Sequence, residues 1–81
     1  MGYFVYILRC SDDTFYTGIT TDLKRRLKEH NSSKKGAKYT KVRRPVSLIY
    51  SERVEDRSDA SKREYSIKKL SRDGKKALIN A

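Results

Sequence analysis

The apolar positions along the chain fall into short blocks whose spacing changes from one block to the next. Residues 3–8, YFVYIL, are apolar or aromatic without interruption, which predicts a central strand covered on both faces. Ser11-Asp12-Asp13 ends that block with turn-forming side chains. Residues 14–20, TFYTGIT, then read as a second strand folded back antiparallel on the first. Gly18 inside it predicts a bulge or a close backbone approach. From Thr21 the period lengthens. Thr21 or Asp22 can cap a helix in which Leu23 and Leu27 recur at i and i+4, with its end near Asn31. Residues 32–45, SSKKGAKYTKVRRP, show no apolar period and are expected as a basic loop punctuated by Gly36 and Pro45. Residues 46–54, VSLIYSERV, predict a third strand. A second helix opens at Asp56 or Ser58, carries Ala60, Ile67 and Leu70, and is expected to end at Asp73-Gly74. Residues 75–80 form a last short helix. The order β-β-α-β-α-α predicts an α+β fold, a three-stranded, mainly antiparallel sheet flanked by helices.

Each strand of the predicted hairpin carries a tyrosine, Tyr6 and Tyr16. Side chains alternate faces along a strand. A two-residue loop at Asp12-Asp13 would set residue 9 opposite residue 16 and send the two tyrosines to opposite faces. A three-residue turn at Ser11-Asp12-Asp13, or a bulge, puts them on one face. Shared chemistry by the two hydroxyls requires the second geometry.

Eighty-one residues predict one domain, residues 1–81. No apolar run approaches the roughly 18 residues of a membrane span, and the start lacks the pattern of a leader peptide, so a cytoplasmic protein without a membrane partner is expected. One cysteine, Cys10, and one histidine, His30, argue against a disulfide framework and a Cys/His zinc site. Charge changes the picture most. The net charge is +10, and the stretch from Lys24 to Arg44 holds ten basic residues and a single acid, Glu29. Such a local surplus repels itself unless a polyanion neutralises it, and nucleic acid is the expected partner. Lys24, Arg25, Lys34, Lys35, Lys38, Lys41, Arg43 and Arg44 are the candidate backbone contacts.

Three polar residues border the predicted apolar stripes. Arg26 is three residues from Leu23, and His30 is four from Arg26 and three from Leu27, so both sit at the edge of the first helix's buried side. Glu64 is four residues from Ala60 and three from Ile67, in line with the stripe of the second helix. Each has an ordinary explanation: an arginine stem covering the core edge, a histidine at a helix C-terminus, a glutamate paired with Lys62, Arg63, Lys68 or Lys69. Taken together with Tyr6 and Tyr16, they fit phosphodiester hydrolysis. Glu64 can hold a divalent cation, Arg26 can stabilise charge on phosphoryl oxygens, and Tyr6 or Tyr16, the latter favoured, can activate water. His30 can orient or deprotonate that tyrosine or the water.

The residues that carry this chemistry resemble a known family. VYIL followed by YTGI, with Arg26 ten residues after Tyr16, His30 four further on, and Glu64 in REYSIKKL, is similar to the GIY-YIG nuclease domain over nearly the whole chain. The DLxRRLxxH and GAKYT stretches look most like its small stand-alone bacterial members, related to the N-terminal nuclease domain of the UvrC excision-repair protein. The resemblance implies a Mg²⁺- or Mn²⁺-dependent endonuclease acting on DNA or RNA, possible roles in DNA repair or recombination, and catalytic Tyr6, Tyr16, Arg26, His30 and Glu64, with Glu64 on the metal. Gly18 would allow close backbone approach. A chain this short would borrow specificity from a partner protein or recognise substrate shape. Two departures stand out: the half-motifs read Val5-Tyr6-Ile7 and Tyr16-Thr17-Gly18, and the asparagine that many members carry after the glutamate has only Asn80 as a candidate. The alternative is a basic nucleic-acid-binding module that keeps the fold without turnover.

Overall fold

The structure, a computed structural model, describes residues 2–81. Strands β1 (Tyr3–Arg9) and β2 (Phe15–Thr20) are followed by helices α1 (Leu23–Ser32) and α2 (Lys38–Lys41), strand β3 (Ser47–Val54), and helices α3 (Arg57–Lys68) and α4 (Arg72–Ile79). The strands form one antiparallel sheet in the order β2-β1-β3. The uninterrupted apolar block is therefore the middle strand, as its lack of a polar face requires. Alternate residues of β1 feed two separate clusters. Tyr6 and Leu8 pack with Cys10 and Val46 beneath Tyr16 and the α1 residues Leu23 and Leu27. Val5 and Ile7 pack with Ala60 and Ile67 of α3.

The hairpin closes through a three-residue turn. Cys10 N–H donates to the Thr14 carbonyl at 2.8 Å and Asp13 N–H to the Cys10 carbonyl at 2.9 Å. Asp13 has φ 67°, the left-handed conformation this loop length needs at its last residue. The register that follows pairs Tyr6 with Gly18 and Leu8 with Tyr16. Directly paired residues share a face, so Tyr6 and Tyr16 look the same way. Two arginines hold the tip. Arg43 Nε donates to Asp12 Oδ2 at 3.0 Å, and Arg72 donates to the Asp13 carbonyl and carboxylate at 2.7 and 3.0 Å.

Three local expectations need correction. Gly18 lies in regular pairing, without a bulge. The irregularity is in β3, where Ile7 faces Tyr50 and Leu8 faces Leu48. The basic segment 32–45 is not all loop: residues 38–41 make the single turn α2, too short to show a period. The second helix stops at Lys68 rather than at Asp73-Gly74. Ser71 caps a new helix there, its hydroxyl accepting from Gly74 N–H at 3.1 Å. An N-cap serine with Asp73 in the first turn outweighs the helix-breaking tendency of one glycine. These changes leave the α+β class intact.

Candidate active site

The site is built on the face of β1 and β2 that α1 covers. Asp22 caps α1, its carboxylate accepting from Arg25 N–H at 3.1 Å. That start fixes the helix phase. Leu23 and Leu27 meet the sheet, and His30, one turn beyond Leu27, is driven under the helix end with no exposed surface. Its Nε2 lies 2.8 Å from the Tyr6 hydroxyl and its Nδ1 2.9 Å from the Thr40 hydroxyl. Tyr6 and Tyr16 present their rings edge-on to the imidazole, with centroids 5.9 and 5.3 Å away.

Gly18 explains how Tyr6 fits. A Cβ at that position would sit 2.5 Å from the Tyr6 hydroxyl and 2.7 Å from its Cζ. What comes close to this glycine is the Tyr6 side chain lying across it, not another backbone. Space, not backbone conformation, demands glycine here, since no glycine among the described residues has positive φ.

Arg26 stands beside Tyr6, and the two line one depression with Leu8, Leu23, Leu27 and Leu48. Its Nη1 donates to Glu29 Oε1 at 2.9 Å and to the Lys35 carbonyl at 2.7 Å. Burial opposes its charge, but the Glu29 carboxylate and the Tyr6 hydroxyl more than offset this and raise its pKa. Burial pushes Tyr6 up to about 12; the Arg26 guanidinium works against that shift, while Tyr16 and the Glu64 charge add to it. Burial also pushes His30 down to about 4, reinforced by the positive charges of Arg26 and Arg44 and opposed by Glu29. The imidazole is therefore neutral, and the phenol protonated, at ordinary pH.

Glu64 lies on α3 between Ala60 and Ile67, with 23% of its side chain exposed, and binds Lys68 at 3.3 Å. It is near enough for its charge to be felt at Tyr6. No group of three His, Cys, Asp or Glu side chains that can hold a metal occurs among the described residues. A single carboxylate still suits a hard divalent cation, which keeps several waters and takes its remaining ligands from substrate phosphate. Asn80 lies elsewhere, lining a groove with Phe15, Ile49 and Ile79 on the α3 and α4 side of the sheet.

The candidate backbone contacts divide into two groups. Lys24, Arg25, Lys34, Lys35, Lys38 and Lys41 are exposed, with Arg25 3.9 Å from Glu29. Arg43 and Arg44 are engaged by the protein. Arg43 covers the Tyr39 ring at 3.8 Å, besides its bond to Asp12, and Tyr39 stacks on Tyr16 with centroids 5.9 Å apart. Arg44 donates to the carbonyls of His30, Glu29 and Ser33 at 2.6, 3.3 and 2.6 Å, closing the C-terminus of α1. Sequence reasoning missed Glu29, Tyr39 and Thr40. Glu29 had a readable signal, its i, i+3 spacing from Arg26. Tyr39 and Thr40 lie in a stretch without periodicity and had none.

Comparison with known proteins sharpens this picture. The profile of the GIY-YIG catalytic domain matches residues 2–77. A UPF0213 protein of Desulfotalea psychrophila is 61% identical over 80 residues, which span 99% of this chain and 73% of that one. Another from Syntrophus aciditrophicus is 58% identical over 76 residues, 94% of this chain and 87% of its own. Among solved structures, the solution NMR structure of the UPF0213 protein BH0048 from Bacillus halodurans superimposes with a TM-score of 0.63 at 45% identity. That of EF2693 from E. faecalis gives 0.68 at 45% identity; each alignment covers 99% of this chain and 84% of the other.

Proposed function

The chain belongs to the GIY-YIG family, a family of nucleases, and we propose that it is a metal-dependent endonuclease that hydrolyses phosphodiester bonds in DNA. The observation that carries this reading is the Tyr6 hydroxyl, bonded to a buried histidine and neighboured by the Arg26 guanidinium. Tyr6, rather than Tyr16, is the base, because its hydroxyl is the one hydrogen-bonded to His30. In the reactive form Tyr6 has lost its proton to solvent. The attacking water gives a proton to the Tyr6 oxygen, its oxygen bonds to phosphorus, and the leaving alkoxide takes a proton from solvent. Arg26 bears on the phosphoryl oxygens as charge develops there. Glu64 would hold a divalent cation such as Mg²⁺ or Mn²⁺, which would supply charge neutralisation for the phosphoryl group. Tyr16 holds the site from the side, edge-on to His30 and stacked on Tyr39.

The exposed lysines grip the nucleic-acid backbone without reading sequence, so a partner protein or the shape of the substrate sets specificity, in a repair or recombination setting. We place residues 1–81 as one nuclease-like domain in the cytoplasm, consistent with the free thiol of Cys10. The Glu64–Lys68 pair favours a second reading, a binding module without turnover. Cleavage of branched, nicked and single-stranded DNA with and without Mg²⁺ separates the two. We expect Mg²⁺-dependent cleavage that Glu64→Gln abolishes while DNA binding persists. Tight, salt-sensitive binding with no cleavage of any substrate would establish the second reading.

A further inference from the structure

Arg43 is tied to the hairpin tip through both its backbone and its side chain. Its carbonyl accepts the Ser11 N–H at 2.9 Å. Its Nε donates to Asp12 Oδ2 at 3.0 Å and its Nη1 to the Tyr39 carbonyl at 2.9 Å. Asp12 is fixed in turn, its Oδ1 accepting from the Thr14 N–H at 3.2 Å and the Thr14 hydroxyl at 2.6 Å. The guanidinium carbon lies 3.8 Å from the centroid of the Tyr39 ring. A planar cation held at its edge and over a ring has a defined orientation. Tyr39 covers one face, and Asp12 and the Tyr39 carbonyl occupy Nε and Nη1. The opposite face and Nη2 are what the 31% exposure of this side chain leaves to solvent.

A pin for the hairpin tip needs the Asp12 bond and neither tyrosine ring. Yet behind Arg43 the Tyr39 ring lies on Tyr16 at 27°, and Tyr16 meets the buried His30 edge-on. The layers run from the imidazole to the surface and end there on a guanidinium plane. The chain neighbours Lys41 and Val42 are exposed, as is Lys38 in the same turn of helix. The lysines supply charge for a phosphate backbone. Asp12 compensates the charge of Arg43, which therefore adds little to that grip. What Arg43 offers instead is a flat, weakly hydrated surface of the kind on which nucleobases stack. Bases inside a continuous duplex are already covered by their neighbours; an unpaired base is not. We propose that the outer face of the Arg43 guanidinium is a stacking platform for an unpaired nucleobase, so that the protein favours nucleic acid with a single-stranded stretch over continuous duplex. The inference rests on the nucleic-acid binding common to both readings of the function, and it is measured without turnover.

Binding is measured by fluorescence anisotropy in EDTA on three DNAs: a duplex with a short single-stranded gap, the same duplex with abasic residues in the gap, and a continuous duplex. The abasic gap keeps every phosphate and removes only the bases. The wild-type protein is expected to bind the base-bearing gap about tenfold more tightly than the abasic one, the scale of one stacking contact. Equal affinities overturn the proposal without recourse to any variant. Arg43→Lys keeps the charge and loses the plane, and Arg43→Gln loses both; either serves if the other fails to fold, as judged by thermal unfolding. Each is expected to bring the two gapped duplexes to equal affinity. A folded variant that keeps the preference places the stacking elsewhere, and one that weakens all three DNAs alike makes Arg43 a phosphate contact only; both results overturn the platform. Failure of the wild-type protein to cleave any DNA would remove the nuclease reading and leave the base preference standing, and cleavage without a base preference would do the reverse.

Discussion

The two faces of β1 use the same strand for opposite ends. On the α3 side, Val5 and Ile7 meet Ala60 and Ile67 in a cluster that is apolar throughout. On the α1 side, Tyr6 meets His30, which meets Thr40, and each of these is almost wholly buried. Apolar contact needs only the right volume and tolerates repacking. A buried polar chain tolerates little, because any member left without its partner costs free energy. No buried side-chain nitrogen or oxygen among the described residues lacks a partner. The apolar cluster of Val5, Ile7, Ala60 and Ile67 can therefore be read as the support and the α1 face as the part whose geometry is chemically specified, with Glu64 the one polar candidate that α3 adds.

The sharpest way to break this contrast is Tyr6→Phe. It keeps the ring over Gly18 and removes the hydroxyl bonded to His30. We expect cleavage to fall by about 10²–10⁴-fold in a folded protein, read from single-turnover rates. Retention of wild-type cleavage would remove Tyr6 as the base. On the opposite face, Ile67→Ala should cost about 2–5 kcal/mol of stability, measured by urea unfolding, with the cleavage rate of the remaining folded protein little changed.

Acid sharpens the same comparison. His30 titrates near 4 when folded and near 6.5 when unfolded, so between those values the unfolded chain binds the extra proton. Stability should be complete above about pH 6.5 and fall by on the order of 3 kcal/mol as the pH drops toward 4. Unfolding midpoints at stepped pH test this, and His30→Gln should flatten the curve in that window. Equal acid sensitivity in His30→Gln would assign the loss to other groups. The smallest effects distinguish exposed from engaged charge. Lys38→Ala should reduce the salt dependence of DNA binding by about one unit of slope with little change in stability. Arg44→Ala should instead lower stability, by about 1–3 kcal/mol, because three carbonyls at the end of α1 lose their donor.

The sequence made the sheet legible because its signals were local and periodic. The YFVYIL block could only be central, and the length of the turn decided how Tyr6 and Tyr16 face. Arg26 and His30 were readable from helix spacing, and their meeting with Tyr6 follows from the phase of α1. What stayed hidden depends on contacts across long separations or within a few residues. Thr40 reaches His30 from a single turn in which no repeat can appear. Arg44 looked like one more nucleic-acid contact until its carbonyl partners were seen. The end of α3 was misplaced because a serine cap at Ser71 competes locally with Gly74, and spacing alone does not rank the two.

Helix α2 has one further consequence. Within four residues it turns Lys38 and Lys41 to solvent and Thr40 into the interior. The same four residues thus carry two solvent-facing cations and a buried hydroxyl 2.9 Å from the imidazole, so a substitution that unwinds this turn would disturb the charged surface and the buried polar chain at once.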